Sequence, residues 1–256
     1  MMKKFILCIC ILMLLFSCVR RREGVYTNTR NSYTQERRQT QSSNRHTTKS
    51  PQESRVSHAE NSTTSTSVDS KILNGSQIFE KYNPAVFMIY TSDGWNDYQG
   101  SGFFVTSSGI GISNYHVFEG TTVGYETIKL SNGQTYKIRN VIAKSKDDDF
   151  IVFQVETKGN TFKYIPLGKK APKVGEKVYT IGSPLGLENT FSSGEISQLR
   201  DDNLIQINAP IDHGSSGGAL INEYGEVIGI TTAGIESSGA NLNFAVDIKV
   251  VKPYVW

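Results

Sequence analysis

Residues 209–222 read APIDHGSSGGALIN, with Ser215 and Ser216 side by side in a run of glycines. Gly and Ser together ordinarily make a turn and nothing more. A serine that attacks needs a base to take its proton, a group to hold that base, and N–H donors for an oxyanion. Whether the rest of the chain supplies these, and in what order, decides the chemistry and the fold together.

The base comes from a short field, because the chain has only four histidines. His46 and His58 lie in a polar stretch with nothing to pack against, and His213 reads as a loop side chain in the same turn as the serines. His116 remains, in GIGISNYHVFEG, where an apolar strand gives way to loop. Alone it would pass for an ordinary strand-end histidine. Downstream, SKDDDFIVFQV sets Asp147, Asp148 and Asp149 before a strand, and Asp149 adjoins it. A carboxylate at that point can reach an imidazole Nδ1 while staying shielded. Asp147 and Asp148 read as solvated turn residues.

Chain order then removes two rivals. GSSGG also fits G-x-S-x-G, the nucleophile elbow of α/β sheets, whose order is serine, acid, histidine. No histidine follows Ser216, so the elbow fails. The order His116, Asp149, Ser216 is that of the chymotrypsin-type double barrel. A zinc hydrolase fails as well: there is no HExxH, and all three cysteines fall within the first 18 residues. No metal and no cofactor is expected.

The pattern from Ile72 onward agrees. Short runs of β-branched and aromatic residues (AVFMIY, SGFFVT, TIKL, TYKIRNVIA, FIVFQV, KVYTIG, GEISQL, LIQINA, GEVIGITTA, NFAVDI) are separated by turns such as SNGQ and NEYGE. One short helix, SQIFEKY, is expected, capped by Ser76 and kept from extending by Pro84. IPLGKKAPKVGEK, with Pro166 and Pro172, reads as the crossing between two halves. The expectation is an all-β fold of two six-stranded antiparallel barrels.

QGSGFFVTSSGIGISNYHV, DDDFIVFQV, YTIGSPLGLENTFSSGEIS and GSSGGALINEYGEVIGITTA together resemble, in order and spacing, the protease domain of the HtrA/DegP-like serine proteases. The similarity runs from about Ser76 to Ile248. The resemblance implies that Ser216, directly before the paired glycines, is the nucleophile, with His116 as base and Asp149 as its orienting acid. It implies an oxyanion hole from the N–H groups of Gly214 and Ser216, each such donor worth about 3 kcal/mol in the transition state. Thr231 lies near where related enzymes keep a hydroxyl beside the acid.

Pro210, Thr232, Ala233 and Asn243 are expected to form the substrate pocket. Pro210 stands where trypsin-like enzymes place the acid that selects Lys or Arg, so small or medium apolar side chains are expected at the cleaved position. Asp212 is the one carboxylate within reach. Ser215 stands where the family usually has Asn, and Ile151 replaces a frequent alanine and is expected to crowd the histidine pocket. The sequence runs to Trp256, and no PDZ domain of the kind that usually follows in that family is expected. There is no IVGG-like start after a basic cleavage site.

The amino-terminal side differs in kind. MMKKFILCICILMLLFSC has two lysines and an apolar run too short to span a bilayer, so residues 1–17 read as an export signal. LFSC resembles the lipobox of bacterial lipoproteins, with Cys18 the lipidated residue and Phe16 bulkier than usual. Residues 18–71 read as a disordered tether: positions 19–71 hold no Phe, Trp, Leu, Ile or Met. They carry ten Lys or Arg against five Asp or Glu, whereas residues 72–256 carry 15 against 19. The formal +3 of the whole chain therefore sits in its leader and tether, and the folded part offers no basic face for nucleic acid.

The expected protein is a serine endopeptidase of residues 72–256, tethered to a bacterial membrane in the cell envelope and acting on proteins or peptides, with homo-oligomers allowed. The competing expectation is a catalytically silent, protease-like lipoprotein that binds peptides or partner proteins.

Overall fold

The computed structural model describes residues 71–255 apart from 123, 184–188, 202 and 235–241, with the Ala233 side chain also left out. The leader, Cys18 and tether residues 18–70 lie outside the described residues.

The described chain opens with helix α1, Gly75–Tyr82. Its cap is Asn74 and not Ser76. The Asn74 side chain accepts from Gln77 N–H at 3.0 Å, and the Gln77 side chain accepts from Asn74 N–H at 3.0 Å, a reciprocal capping box that Ser76 is too far along to make. Asn83, Pro84 and Ala85 then form one 3₁₀ turn that ends the helical segment.

Twelve strands follow. Six make the first barrel: β1 Val86–Ser92, β2 Asp97–Phe104, β3 Ile110–Ser113, β4 Thr127–Leu130, β5 Thr135–Ser145 and β6 Phe150–Val155. Six make the second: β7 Lys177–Gly182, β8 Thr190–Arg200, β9 Leu204–Ile207, β10 Ala219–Asn222, β11 Val227–Gly234 and β12 Asn243–Asp247. Both sheets are closed and every strand pairing is antiparallel. Counted from its own first strand, each barrel runs 1-2-3-6-5-4, so the two share one topology. This is the chymotrypsin-like double barrel. Closure removes the exposed edges that twelve short strands would otherwise present.

The apolar runs alternate between two buried destinations. Phe87, Phe104, Ile151 and Phe153 fill the first barrel. Their chain neighbours Val86, Phe103, Phe150 and Val152 face outward into a second cluster, where they meet Ile181, Ala219, Ile221 and Ile230 of the other barrel and Ile78 and Tyr82 of α1. Strands buried on both faces lose the polar half of the alternation, which is why FIVFQV and SGFFVT read as nearly continuous. The inter-barrel cluster fixes how the barrels meet. Truncating a fully buried side chain in it, such as Phe103, would cost about 3–5 kcal/mol.

Ile151, expected to crowd the histidine pocket, belongs to the interior of the first barrel, 3% exposed, in the cluster of Phe87, Phe104 and Phe153. Strand parity explains this: two positions beyond Asp149 the chain has entered β6 and the side chain turns inward.

Candidate active site

The site forms along the seam of the two barrels. His116 sits in a 3₁₀ turn, Tyr115–Val117, that follows β3. Asp149 ends the turn before β6 with φ +50°, a left-handed conformation that Asp and Asn tolerate better than other residues with a side chain. Asn114, fully buried, donates from Nδ2 to the Asp149 carbonyl at 2.9 Å and holds that turn.

The carboxylate that this turn presents is well occupied. His116 Nδ1 lies 3.0 and 2.9 Å from Asp149 Oδ1 and Oδ2, and the His116 backbone N–H donates to Oδ1 at 3.0 Å. A carboxylate only accepts, so Nδ1 carries the proton and Nε2 keeps a lone pair in the neutral ring. The two side chains are 28% and 26% exposed, shielded yet reachable. Burial disfavours the charged ring, but the charge and hydrogen bond of Asp149, aided by Glu119, outweigh it and hold His116 above its ordinary pKa. Glu119 is itself paired with Lys146.

The fourth contact to Asp149 comes from the other barrel. Thr232 Oγ1 donates to Oδ2 at 2.9 Å, whereas Thr231 Oγ1 turns the opposite way and donates to the Ser215 carbonyl at 2.7 Å. The hydroxyl beside the acid therefore belongs to Thr232 and not to Thr231. Adjacent strand positions face opposite sides, so an offset of one residue exchanges their roles. Thr232 also accepts the Ser216 hydroxyl on its carbonyl at 2.9 Å. One residue thus touches both the carboxylate and the serine. Among the hydrogen bonds of the described residues, the Ser216 hydroxyl goes to Thr232 and not to His116.

Around Ser216 the backbone is tightly folded. Ser215 N–H donates to Asp212 O at 2.9 Å, Gly217 N–H to Thr231 O at 2.8 Å and Gly218 N–H to Ser215 O at 2.9 Å. Gly214 has φ +91° and Gly217 φ +89°, and a Cβ on Gly217 would strike the Ser101 carbonyl oxygen. Among the described residues, no acceptor meets the N–H groups of Gly214 and Ser216.

The four residues expected to line a substrate pocket part company. A cavity of about 430 Å³ opens beside the serine turn, with Pro210, Ile211, Phe191, Asp212, Ser215 and Thr231 in its wall. Thr232 faces the carboxylate instead, and Asn243 is buried with its Nδ2 on the Ala209 carbonyl at 2.8 Å. The Ala233 side chain lies outside the described residues. Asp148 is less solvated than its turn position suggests: Asn203 Nδ2 donates to its Oδ1 at 3.0 Å and Ser145 Oγ to its Oδ2 at 3.2 Å.

The family model of the trypsin-like peptidase domain matches residues 100–230, which carry His116, Asp149 and Ser216. The chain belongs to the trypsin-like peptidase family. Within that family it is similar to Protease Do-like 1 of Arabidopsis thaliana, a chloroplast protein, at 34% identity over 163 residues, covering 59% of this chain and 36% of the relative. It is 33% identical over 164 residues to the periplasmic serine endoprotease DegP of Escherichia coli K12, covering 60% of this chain and 34% of the relative. The chain therefore spans about a third of the length of these relatives. The crystal structure of the serine endoprotease from Yersinia pestis superposes with a TM-score of 0.64 at 26% identity, covering 70% of this peptidase chain and 64% of that one.

Proposed function

We propose that the chain is a serine endopeptidase in which Ser216 attacks the scissile carbonyl, His116 Nε2 takes and later returns the proton, and Asp149 holds the ring. The observation that carries this reading is the contact set of Asp149. It binds His116 Nδ1 from one barrel and, through Thr232, stands one residue from the Ser216 hydroxyl of the other. The N–H groups of Gly214 and Ser216, without an acceptor among the described residues, supply the oxyanion hole, with its donors set in place before charge develops. Rotation of Ser216 about χ1 exchanges the Thr232 carbonyl for His116 Nε2, an adjustment typical of unliganded sites.

The competing reading is a silent relative that binds peptides without cutting them, and the Ser216–Thr232 bond is the observation in its favour. A fluorophosphonate distinguishes the two. Labelling of Ser216, with casein hydrolysis that Ser216→Ala abolishes and Ser215→Ala largely keeps, supports the enzyme. Failure of wild type to react supports the silent protein.

The chemistry around the turn favours an uncharged substrate side chain, since Pro210 and Ile211 line the neighbouring cavity and Asp212 is the only carboxylate in its described wall. Substrates are proteins or peptides. The apolar leader ending in Cys18 supports export to the bacterial cell envelope and attachment there through a lipid, with residues 18–71 as the tether. Cys18→Ala should shift the protein from the membrane fraction to the soluble one, and unchanged partitioning would remove the anchor from this proposal.

A further inference from the structure

Ser101 is fully buried in β2, and both of its donors cross the seam to the serine turn. Its Oγ donates to the Gly214 carbonyl at 2.6 Å and its backbone N–H to the Ser216 carbonyl at 2.8 Å. Among the described residues, the N–H groups of these same two residues have no acceptor. We propose that Ser101 is a positioning residue for the oxyanion hole, fixing from the first barrel both peptide-bearing residues of the second that stabilise the transition state. The proposal rests on the assignment of Gly214 and Ser216 made above.

The direction of the Ser101 hydroxyl is set by its neighbours. Ser183 N–H donates to Ser101 Oγ at 2.8 Å, so the oxygen is already used as an acceptor and its proton is left to Gly214. Ser113 Oγ donates to the Ser101 carbonyl at 2.8 Å and ties the strand itself. With its φ of +91°, Gly214 has no side chain to limit its motion, so its orientation depends on what holds its carbonyl. Small neighbours make the approach feasible: a Cβ at Gly217 would strike the Ser101 carbonyl, and one at Gly100 would strike Val117 first and also crowd the Ser216 carbonyl at 3.3 Å. An oxyanion donor acts only if it is aimed before charge develops, and loosening one should cost part of the roughly 100- to 1000-fold that its removal costs.

The test compares the full-length wild type with Ser101→Ala, and both with Ser101→Thr, which restores the hydroxyl. In Ser101→Ala, kcat per folded molecule should fall about 10- to 100-fold with KM within about twofold. Affinity for a peptide boronic acid, whose tetrahedral adduct on Ser216 places an oxygen in the hole, should fall by the same factor. The acid limb of the pH profile should stay in place, because Ser101 does not touch His116. Ser101→Thr should recover most of the loss. If Ser101→Ala proves too unstable to assay, Ser101→Cys keeps the volume with a weaker donor and should show a smaller loss in the same direction. An active wild type whose Ser101→Ala or Ser101→Cys variant keeps full kcat, or loses kcat with unchanged boronate affinity, overturns the clamp alone. A wild type that neither cleaves peptide nor binds boronate overturns the underlying assignment and the clamp with it.

Discussion

Thr232 donates its hydroxyl to Asp149 Oδ2 at 2.9 Å across the barrel seam, and its carbonyl accepts the Ser216 hydroxyl at the same distance. The side chain holds the carboxylate while the backbone holds the serine proposed to attack. Thr232→Val preserves shape and the carbonyl but removes one of the hydrogen bonds that keep Asp149 aimed at His116. Peptide hydrolysis should fall about tenfold, in proportion to a charge-assisted bond of about 1.5–3 kcal/mol partly replaced by solvent. Steady-state kinetics on the variant would show it, with Thr231→Val as the comparison that leaves Asp149 untouched.

Asp149→Asn should leave the fold in place, because Asn accepts a φ of +50° as readily as Asp does. Activity should nevertheless drop by about four orders of magnitude. An amide at this position stabilises the wrong imidazole tautomer. Circular dichroism and thermal melting beside the rate measurement separate the two effects. Asp149→Ala should lose stability as well, since alanine is strained at that φ.

His116 is held above its ordinary pKa, and as the proposed base it must be neutral to act. Activity should therefore be lost, as pH falls, at a higher pH than an isolated histidine would give. Glu119 contributes to the upward shift, so Glu119→Gln should move the acid limb toward lower pH without abolishing turnover. A pH profile of kcat/KM for both forms checks the sign. Movement toward higher pH would mean that Glu119 acts on the site by another route.

Gly217→Ala should be among the most damaging small changes in the protein. The new Cβ meets the Ser101 carbonyl oxygen, and φ +89° is strained for alanine whatever the space. The expected result is a Tm lower by many degrees and a serine turn displaced from β2. Gly133→Ala, at φ +83° but with nothing within 4 Å, isolates the backbone part of the penalty.

Much of this architecture can be read from the residues alone, for identifiable reasons. Runs such as FIVFQV and KVYTIG announce strands because both of their faces are buried, and chain order decides the barrel over the α/β sheet because no histidine follows Ser216. What escapes reading depends on register. Thr231 and Thr232 are indistinguishable until the pairing of β11 with β12 is known, and that pairing shifts between Thr231 and Gly234. The four residues of β10, ALIN, are too short to stand out after the glycines. Ser101 gives one faint signal, its place between Gly100 and Gly102, the kind of spacing that marks close backbone approach within a strand.

The shared 1-2-3-6-5-4 order has a consequence for how such a chain is made. The first barrel carries the proposed base, its carboxylate and Ser101, while the proposed nucleophile and Thr232 arrive only with the second. On that assignment, a nascent chain that has only its first barrel would have no means of cutting its neighbours or itself. On the proposed triad, hydrolysis requires both barrels in contact, so docking of the later half on the earlier one would also arm the site.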